Sequence, residues 1–188
     1  DVLYQGWPCR NNLRDKFTNT YQMDPNKKIF VVSLPRLMEQ NITSEEVHWQ
    51  SINDILKTLS QRGCNVVVSL HPHSDPALYS WIEEKYRVNI SNVPLMYTLV
   101  IADVFVASHS STIRWAIGLG IPVINIDFWG LNYTSFIALT GYQTVTTVPE
   151  FNDAVGRFAE DSMGDDLFGS QGLAGESRGV LVDGMAKE

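Results

Sequence analysis

The sequence predicts an α/β fold, a Rossmann-like three-layer sandwich with helices on both faces of a parallel sheet. Three observations predict it. Short apolar runs alternate with longer amphipathic segments along most of the chain. The runs are rich in β-branched residues and lack polar alternation, as strands buried on both faces must. The segments between them carry helix start and stop signals. Alternation of this kind implies right-handed crossovers between parallel strands.

Taken in order, Ile29-Phe-Val-Val-Ser-Leu34 is the first buried strand. Thr43-Ser-Glu-Glu46 reads as a capping box, and Val47, Ile52, Ile55, Leu56 and Leu59 recur at helical spacing until Gly63. Asn65-Val-Val-Val-Ser-Leu70 is the second strand. Asp75 and Pro76 open a helix expected to run to about Tyr86, since proline suits the first helical position. Val88–Ile90 is a short strand, and Pro94 to about Ala102 a short apolar helix. Asp103–Ala107 and Pro122–Ile126 are strands on either side of a helix from Thr112 to Leu119. Tyr133–Leu139 is expected to be helical, Gln143–Thr147 a last strand, and Pro149–Glu160 a closing helix. Gly is frequent and periodicity weak over 161–188.

The length of 188 residues accommodates one domain or at most two small ones. A net charge of −7, from 14 Lys and Arg against 21 Asp and Glu, argues against a general nucleic-acid binder, which needs clustered cations. No apolar run approaches the ~18 residues that cross a bilayer. Cys9 and Cys64 are too few for a disulfide framework and read as reduced thiols of a cytosolic protein. The chain opens at Asp1 with no leader pattern and stops at Glu188, so an excerpt of a longer protein is expected.

Ligands of open parallel sheets bind outside the carboxyl ends of the strands. Those ends carry Pro35, Arg36 and Glu39; His71, Pro72 and His73; Ser108, His109, Ser110, Ser111 and Thr112; and Asp127, Phe128 and Trp129. Three of the four histidines fall there, which places the chemistry at this edge. Ser110-Ser111-Thr112 sits between a strand and a helix start, where hydroxyls and free N–H groups either cap the helix or bind a phosphate. His71 either hydrogen-bonds nearby backbone or serves a phosphoryl group, as a neutral donor or as imidazolium. Phe128 and Trp129 either stack on a base or cover the sheet edge. No Cys or acidic residue stands at metal-ligand spacing beside His71, His73 and His109, so no metal is expected. A glycine fingerprint, a GxSxG elbow and paired carboxylates are all missing, which removes dinucleotide, serine-hydrolase and glycosidase readings.

Gly6-Trp-Pro8 with Asp15, His71-Pro72, Asn92-Val-Pro94-Leu, Ala102-Asp103-Val, the Ser/Thr turn and Leu119-Gly-Ile-Pro122-Val follow one another in an informative order. The series resembles the carboxyl-terminal domain of UDP-N-acetylglucosamine 2-epimerases and their glycosyltransferase relatives of the GT-B fold. Asp183-Gly184-Met-Ala186 is similar to a turn that opens a terminal helix in capsule-synthesis transferases. Several positions depart from the epimerases. Pro35 stands where they place a histidine, His109-Ser110-Ser111 replaces their S-G-G turn, and Arg114 and Trp115 replace the acids that hold the uridine ribose. Neither an indole nor a guanidinium accepts a bond from ribose hydroxyls. A His-Pro pair with a Ser-Ser/Thr turn is instead similar to bacterial sialyltransferases, polysialyltransferases and Kdo transferases.

That resemblance implies one half of a GT-B fold that binds the nucleotide of an activated sugar, with CMP-Kdo or CMP-sialic acid favoured. A UDP-sugar enzyme of the epimerase type and a non-catalytic interaction module are the alternatives. It implies His71 as the catalytic contact to the leaving phosphate. Ser110, Ser111, Thr112, His109, Pro72 and Arg36 are the phosphate-binding set. It further implies a nucleotide-sugar donor without other cofactor, a surface-polysaccharide acceptor, and a cytoplasmic site at the inner face of a bacterial inner membrane reached through other segments. The expected organisation is a segment from a preceding amino-terminal domain (1–28), a nucleotide-sugar-binding domain (29–160) and a partly helical tail (161–188).

Overall fold

A computed structural model describes residues 10–132 and 134–160. The Gly6-Trp-Pro8 motif, Cys9, Tyr133, the 161–188 tail and its Asp183-Gly184 turn lie outside the described residues. In chain order the elements are α1 (Arg10–Thr20), β1 (Ile29–Ser33), α2 (Glu45–Gln61), β2 (Asn65–Ser69), α3 (Trp81–Tyr86), β3 (Asn89–Ile90), α4 (Leu95–Leu99), β4 (Val104–Ala107), α5 (Ile113–Gly118), β5 (Val123–Ile126), β6 (Tyr142–Val145) and α6 (Val148–Glu160). The six strands form one sheet in the order β3-β2-β1-β4-β5-β6, and each neighbouring pair runs parallel. This is the Rossmann-like parallel α/β sandwich that the sequence predicts.

Strand alternation divides the core into two layers. Phe30, Val32, Val66, Val68, Val104, Val106, Ile124 and Ile126 face α2, α3 and α6, meeting Ile55, Leu56, Ile82, Phe151 and Val155. Ile29, Val31, Val67, Phe105, Ala107 and Val123 face the other way, against Leu99, Ile113, Ala116 and the α1 residues Leu13 and Phe17. Burial on both faces explains why these strands read as unbroken apolar runs.

The helix ends follow local chemistry. Ser44, one residue after the Thr43 expected to cap, is the N-cap of α2, and its hydroxyl accepts the Val47 N–H. Gly63, at φ +67°, supplies the left-handed residue that ends the helix. The expected helix over Asp75–Tyr86 is interrupted. Asp75 caps a 3₁₀ turn at Pro76–Leu78, after which the Ser80 hydroxyl and Trp81 indole donate to the Ala77 and Leu78 carbonyls. Those side chains compete with backbone donors, so a continuous helical ladder does not form. The helix expected over Tyr133–Leu139 is not formed by its described part, residues 134–139. Residues 135–138 form successive turns in which Ile137 and Leu139 are exposed, so no apolar stripe is available to be buried.

Two polar clamps tie helices to the sheet. Asp103, just before β4, receives both ends of the Arg14 guanidinium at 2.9 Å and the Ile29 N–H at 2.8 Å. Arg14 also donates to the Ile101 carbonyl. Arg62, at the end of α2, donates to Asn152 and Glu160 of α6. Gly156 makes room for it, since a Cβ there would lie 3.1 Å from the guanidinium. Arg14→Ala should lower stability by about 2 kcal/mol, because it removes two charge-assisted hydrogen bonds and leaves a half-buried carboxylate. Urea midpoints measure this. Arg14→Lys should recover only part of the loss, since an ammonium cannot reproduce the fork.

Candidate functional site

The strand order reverses direction between β1 and β4, because successive strands build outward from β1 on one side and from β4 on the other. A ligand crevice opens outside the carboxyl ends of the strands at such a reversal. Ser33 pairs with Ser69 and Val32 with Val106, so β2, β1 and β4 end at one level. Their following loops carry His71, Arg36 and Ser110 respectively. Two strand spacings, about 10 Å, separate the outer loops. The sheet therefore gathers Arg36, His71, Pro72, His109, Ser110, Ser111 and Thr112 along one edge.

Arg36 and His71 form a pair. The Arg36 guanidinium donates to His71 Nδ1 at 3.5 Å, and the His73 backbone N–H donates to the same nitrogen at 3.1 Å. Two donors on Nδ1 place the proton of the neutral ring on Nε2. Burial, Arg36 and His73 hold the His71 pKa below its ordinary value, against a weaker upward pull from Glu39. The neutral ring that this shift favours carries its N–H on Nε2, as a donor. Pro72 and His73 are exposed in the following turn, and the His71 and His73 rings lie 5.3 Å apart.

The loop after β4 is fixed from behind. His109 adopts φ +47°. Its backbone N–H donates to buried Asn125, and its Nε2 lies 3.2 Å from Asp127 Oδ1. Asp127, at the end of β5, also accepts the Leu131 and Asn132 N–H groups at 2.8 Å. Burial alone would raise the Asp127 pKa, but those two N–H groups and His109 together hold it below the ordinary aspartate range. The His109 ring therefore lies against Asp127, with its backbone tied to Asn125. Ser110 Oγ lies 2.6 Å from Thr112 Oγ1 and accepts the Thr112 N–H, closing a small hydroxyl turn. Ser111 is exposed at its tip, and Thr112 precedes α5 without a side-chain cap bond. The Ser110 hydroxyl thus takes one backbone N–H at the start of α5, the capping alternative, while Thr112 itself makes no side-chain cap bond.

The other candidates sort plainly. Phe128 packs 6.4 Å from Phe151, and with Trp129 it covers the edge of the core. Arg114 and Trp115 are exposed on α5. Among the described residues no three His, Cys, Asp or Glu side chains are grouped to hold a metal ion. None of the described helices is long and apolar enough to cross a membrane. A cavity of about 390 Å³ lies elsewhere, between α2 and α3, lined by Asn53, Lys57, Ser60, Gln61, Lys85 and Tyr86. It sits beside the carboxyl half of α2, towards the opposite edge of the sheet from Arg36.

Sequence reasoning passed over three residues that shape this edge. Tyr79 and His48 are buried behind Glu39, and Asn125 is buried beneath His109. An Asn inside the otherwise apolar run Val123–Ile126 was the one visible signal, because a buried amide needs partners.

No protein-family model matches the chain, and no curated protein does. Among solved structures, the wall teichoic acid polymerase TagF, as a point variant soaked with CDPG, matches with a TM-score of 0.50 and 14% identity. The match covers 78% of this chain and 39% of that one, so the chain spans well under half the length of its structural neighbour. At this identity the likeness is one of fold, and the fold shared is the Rossmann-like parallel α/β sandwich.

Proposed function

We propose that this chain is the donor-nucleotide-binding half of a GT-B glycosyltransferase that transfers a group from a cytidine-nucleotide donor, a CMP-sugar first, to a surface-polysaccharide acceptor. The observation that carries the reading is the placement of the Arg36–His71 pair and the hydroxyl turn Ser110–Thr112 after the carboxyl ends of strands on the two sides of the β1–β4 reversal. A guanidinium and a neutral imidazole N–H suit a phosphate on one side. The Ser110 and Ser111 hydroxyls and the free backbone N–H groups of the turn suit it on the other. These donors stabilise charge that builds on the departing nucleotide, so they favour the transition state over the bound donor. His71 is the catalytic contact in this scheme. Arg36, Pro72, Ser110, Ser111 and Thr112 line the phosphate site, and His109 sets the turn. The CDPG of the TagF soak supports a cytidine nucleotide. The exposed Arg114 and Trp115, which cannot accept from ribose hydroxyls, weigh against the UDP-sugar alternative. The acceptor and the acid–base partner belong to a second half, consistent with the small share of TagF that the chain spans. We place the reaction in the cytoplasm, at the inner membrane face.

Titration calorimetry with CDP, CMP, UDP and ADP tests the reading. Cytidine nucleotides should bind most tightly. Tighter binding of UDP would move the assignment to the UDP-sugar branch. Binding of none would leave a non-catalytic module and overturn the proposal.

A further inference from the structure

Arg36 does not stand alone at the crevice. Its Nε lies 3.7 Å from Glu39 Oε1, and both side chains are about four-fifths buried. Glu39 Oε1 in turn accepts the Tyr79 hydroxyl at 3.3 Å. That hydroxyl lies 3.4 Å from Nε2 of His48, whose ring is fully buried in α2. One arrangement of protons serves the whole row. His48 Nε2–H donates to the Tyr79 oxygen, Tyr79 O–H donates to Glu39, and the Glu39 carboxylate faces Arg36. The opposite tautomer of His48 would make Tyr79 share one proton between two acceptors. Among the described residues, Arg36 Nε, Glu39 Oε2 and His48 Nδ1 are buried without hydrogen-bond partners, so Glu39 holds Arg36 as an ion pair across 3.7 Å rather than through a hydrogen bond.

This row joins three separate segments: the first turn of α2 on its core-facing side, the turn after β2 and the turn after β1. Its inner end is anchored by packing. Trp49 lies 5.3 Å from Tyr79 and 5.0 Å from His48, and Tyr79 is 1% exposed. Its outer end is the guanidinium that also reaches His71. A long arginine side chain loses considerable rotamer freedom when fixed in one geometry, and binding is stronger when that ordering precedes the ligand.

We propose that Tyr79 and Glu39 are positioning residues that hold the Arg36 guanidinium, before any ligand arrives, in the orientation that receives a donor phosphate. His48 is the buried anchor of the row. This inference rests on the nucleotide-binding reading of the same edge. It extends that reading by assigning the specificity for a phosphate-bearing ligand to residues that never touch it.

Tyr79→Phe removes one hydroxyl and keeps the ring packed. It should weaken CDP binding about three- to tenfold, the scale of one hydrogen bond, and leave cytidine binding unchanged. Glu39→Gln should act in the same direction, and thermal melting checks that each variant is folded. In an Arg36→Ala background, Tyr79→Phe should cost no further affinity, because residues acting through one group are non-additive. Equal losses for CDP and cytidine, or full additivity with Arg36→Ala, would make the row purely structural and overturn the inference alone. A wild-type chain that binds no nucleotide overturns the binding reading and this inference together.

Discussion

Arg36→Ala lowers the affinity of the chain for CDP by about 10- to 100-fold, the expected result of losing a charge-assisted hydrogen bond to phosphate. The prediction is specific because Arg36 has two neighbours with opposite demands. Glu39 holds the guanidinium from behind, and His71 Nδ1 takes one of its N–H groups in front. Removing Arg36 also leaves the Glu39 carboxylate without its cation, so melting must be measured alongside affinity. Arg36→Lys separates the two effects. It restores a charge beside Glu39 but not the planar fork, so stability should recover more than affinity. Unchanged CDP affinity in a folded Arg36→Ala chain would remove the phosphate from this edge.

Asp127→Ala should cost about 3 kcal/mol of stability. The substitution strands the Leu131 and Asn132 N–H groups, which bond the carboxylate, and removes the acid that lies 3.2 Å from His109 Nε2. The effect has a defined pH dependence. Because the folded carboxyl titrates below its unfolded value, its stabilisation is fully present above about pH 4 and is lost as pH falls through the folded pKa. The gap between wild type and Asp127→Ala in urea midpoint should therefore be constant near neutrality and close in strong acid. His48 adds a separate trend common to both proteins. Burial holds its pKa below 6.5, so the unfolded chain takes up that proton first and stability declines as pH falls below about 6.5. Taking the difference between the two proteins removes this shared slope. A gap that widened in acid would contradict the assigned bonds.

Most of the sandwich was readable because each strand is buried on both faces, which leaves an unbroken apolar run such as Ile29–Leu34 bounded by turn residues. Placing His71, Ser110 and Arg36 on one edge needed only the parallel topology. The order of the strands was not readable, since nothing in Val31 or Phe105 names its neighbour, and the reversal beside Arg36 became visible only with the pairing. Tyr133–Leu139 misled for a simpler reason. Its apolar content resembles a helix face, yet among its described residues only Phe136 packs against the core. Residues with long-range partners were the hardest. His48 and Tyr79 are 31 positions apart, and no periodicity in either segment announces that they meet. His109 was readable in its turn, but its neighbour Asp127, at the end of the next strand, was not.

The Arg14–Asp103–Ile29 clamp lies at the amino ends of β1 and β4, while every candidate contact lies at their carboxyl ends. The sheet thus has a bolted end and a working end. Loops at that end can be rebuilt for a different ligand without disturbing the bolts. Re-engineering of this domain should accordingly graft turns after β1, β2 and β4 and leave α1 and its arginine alone.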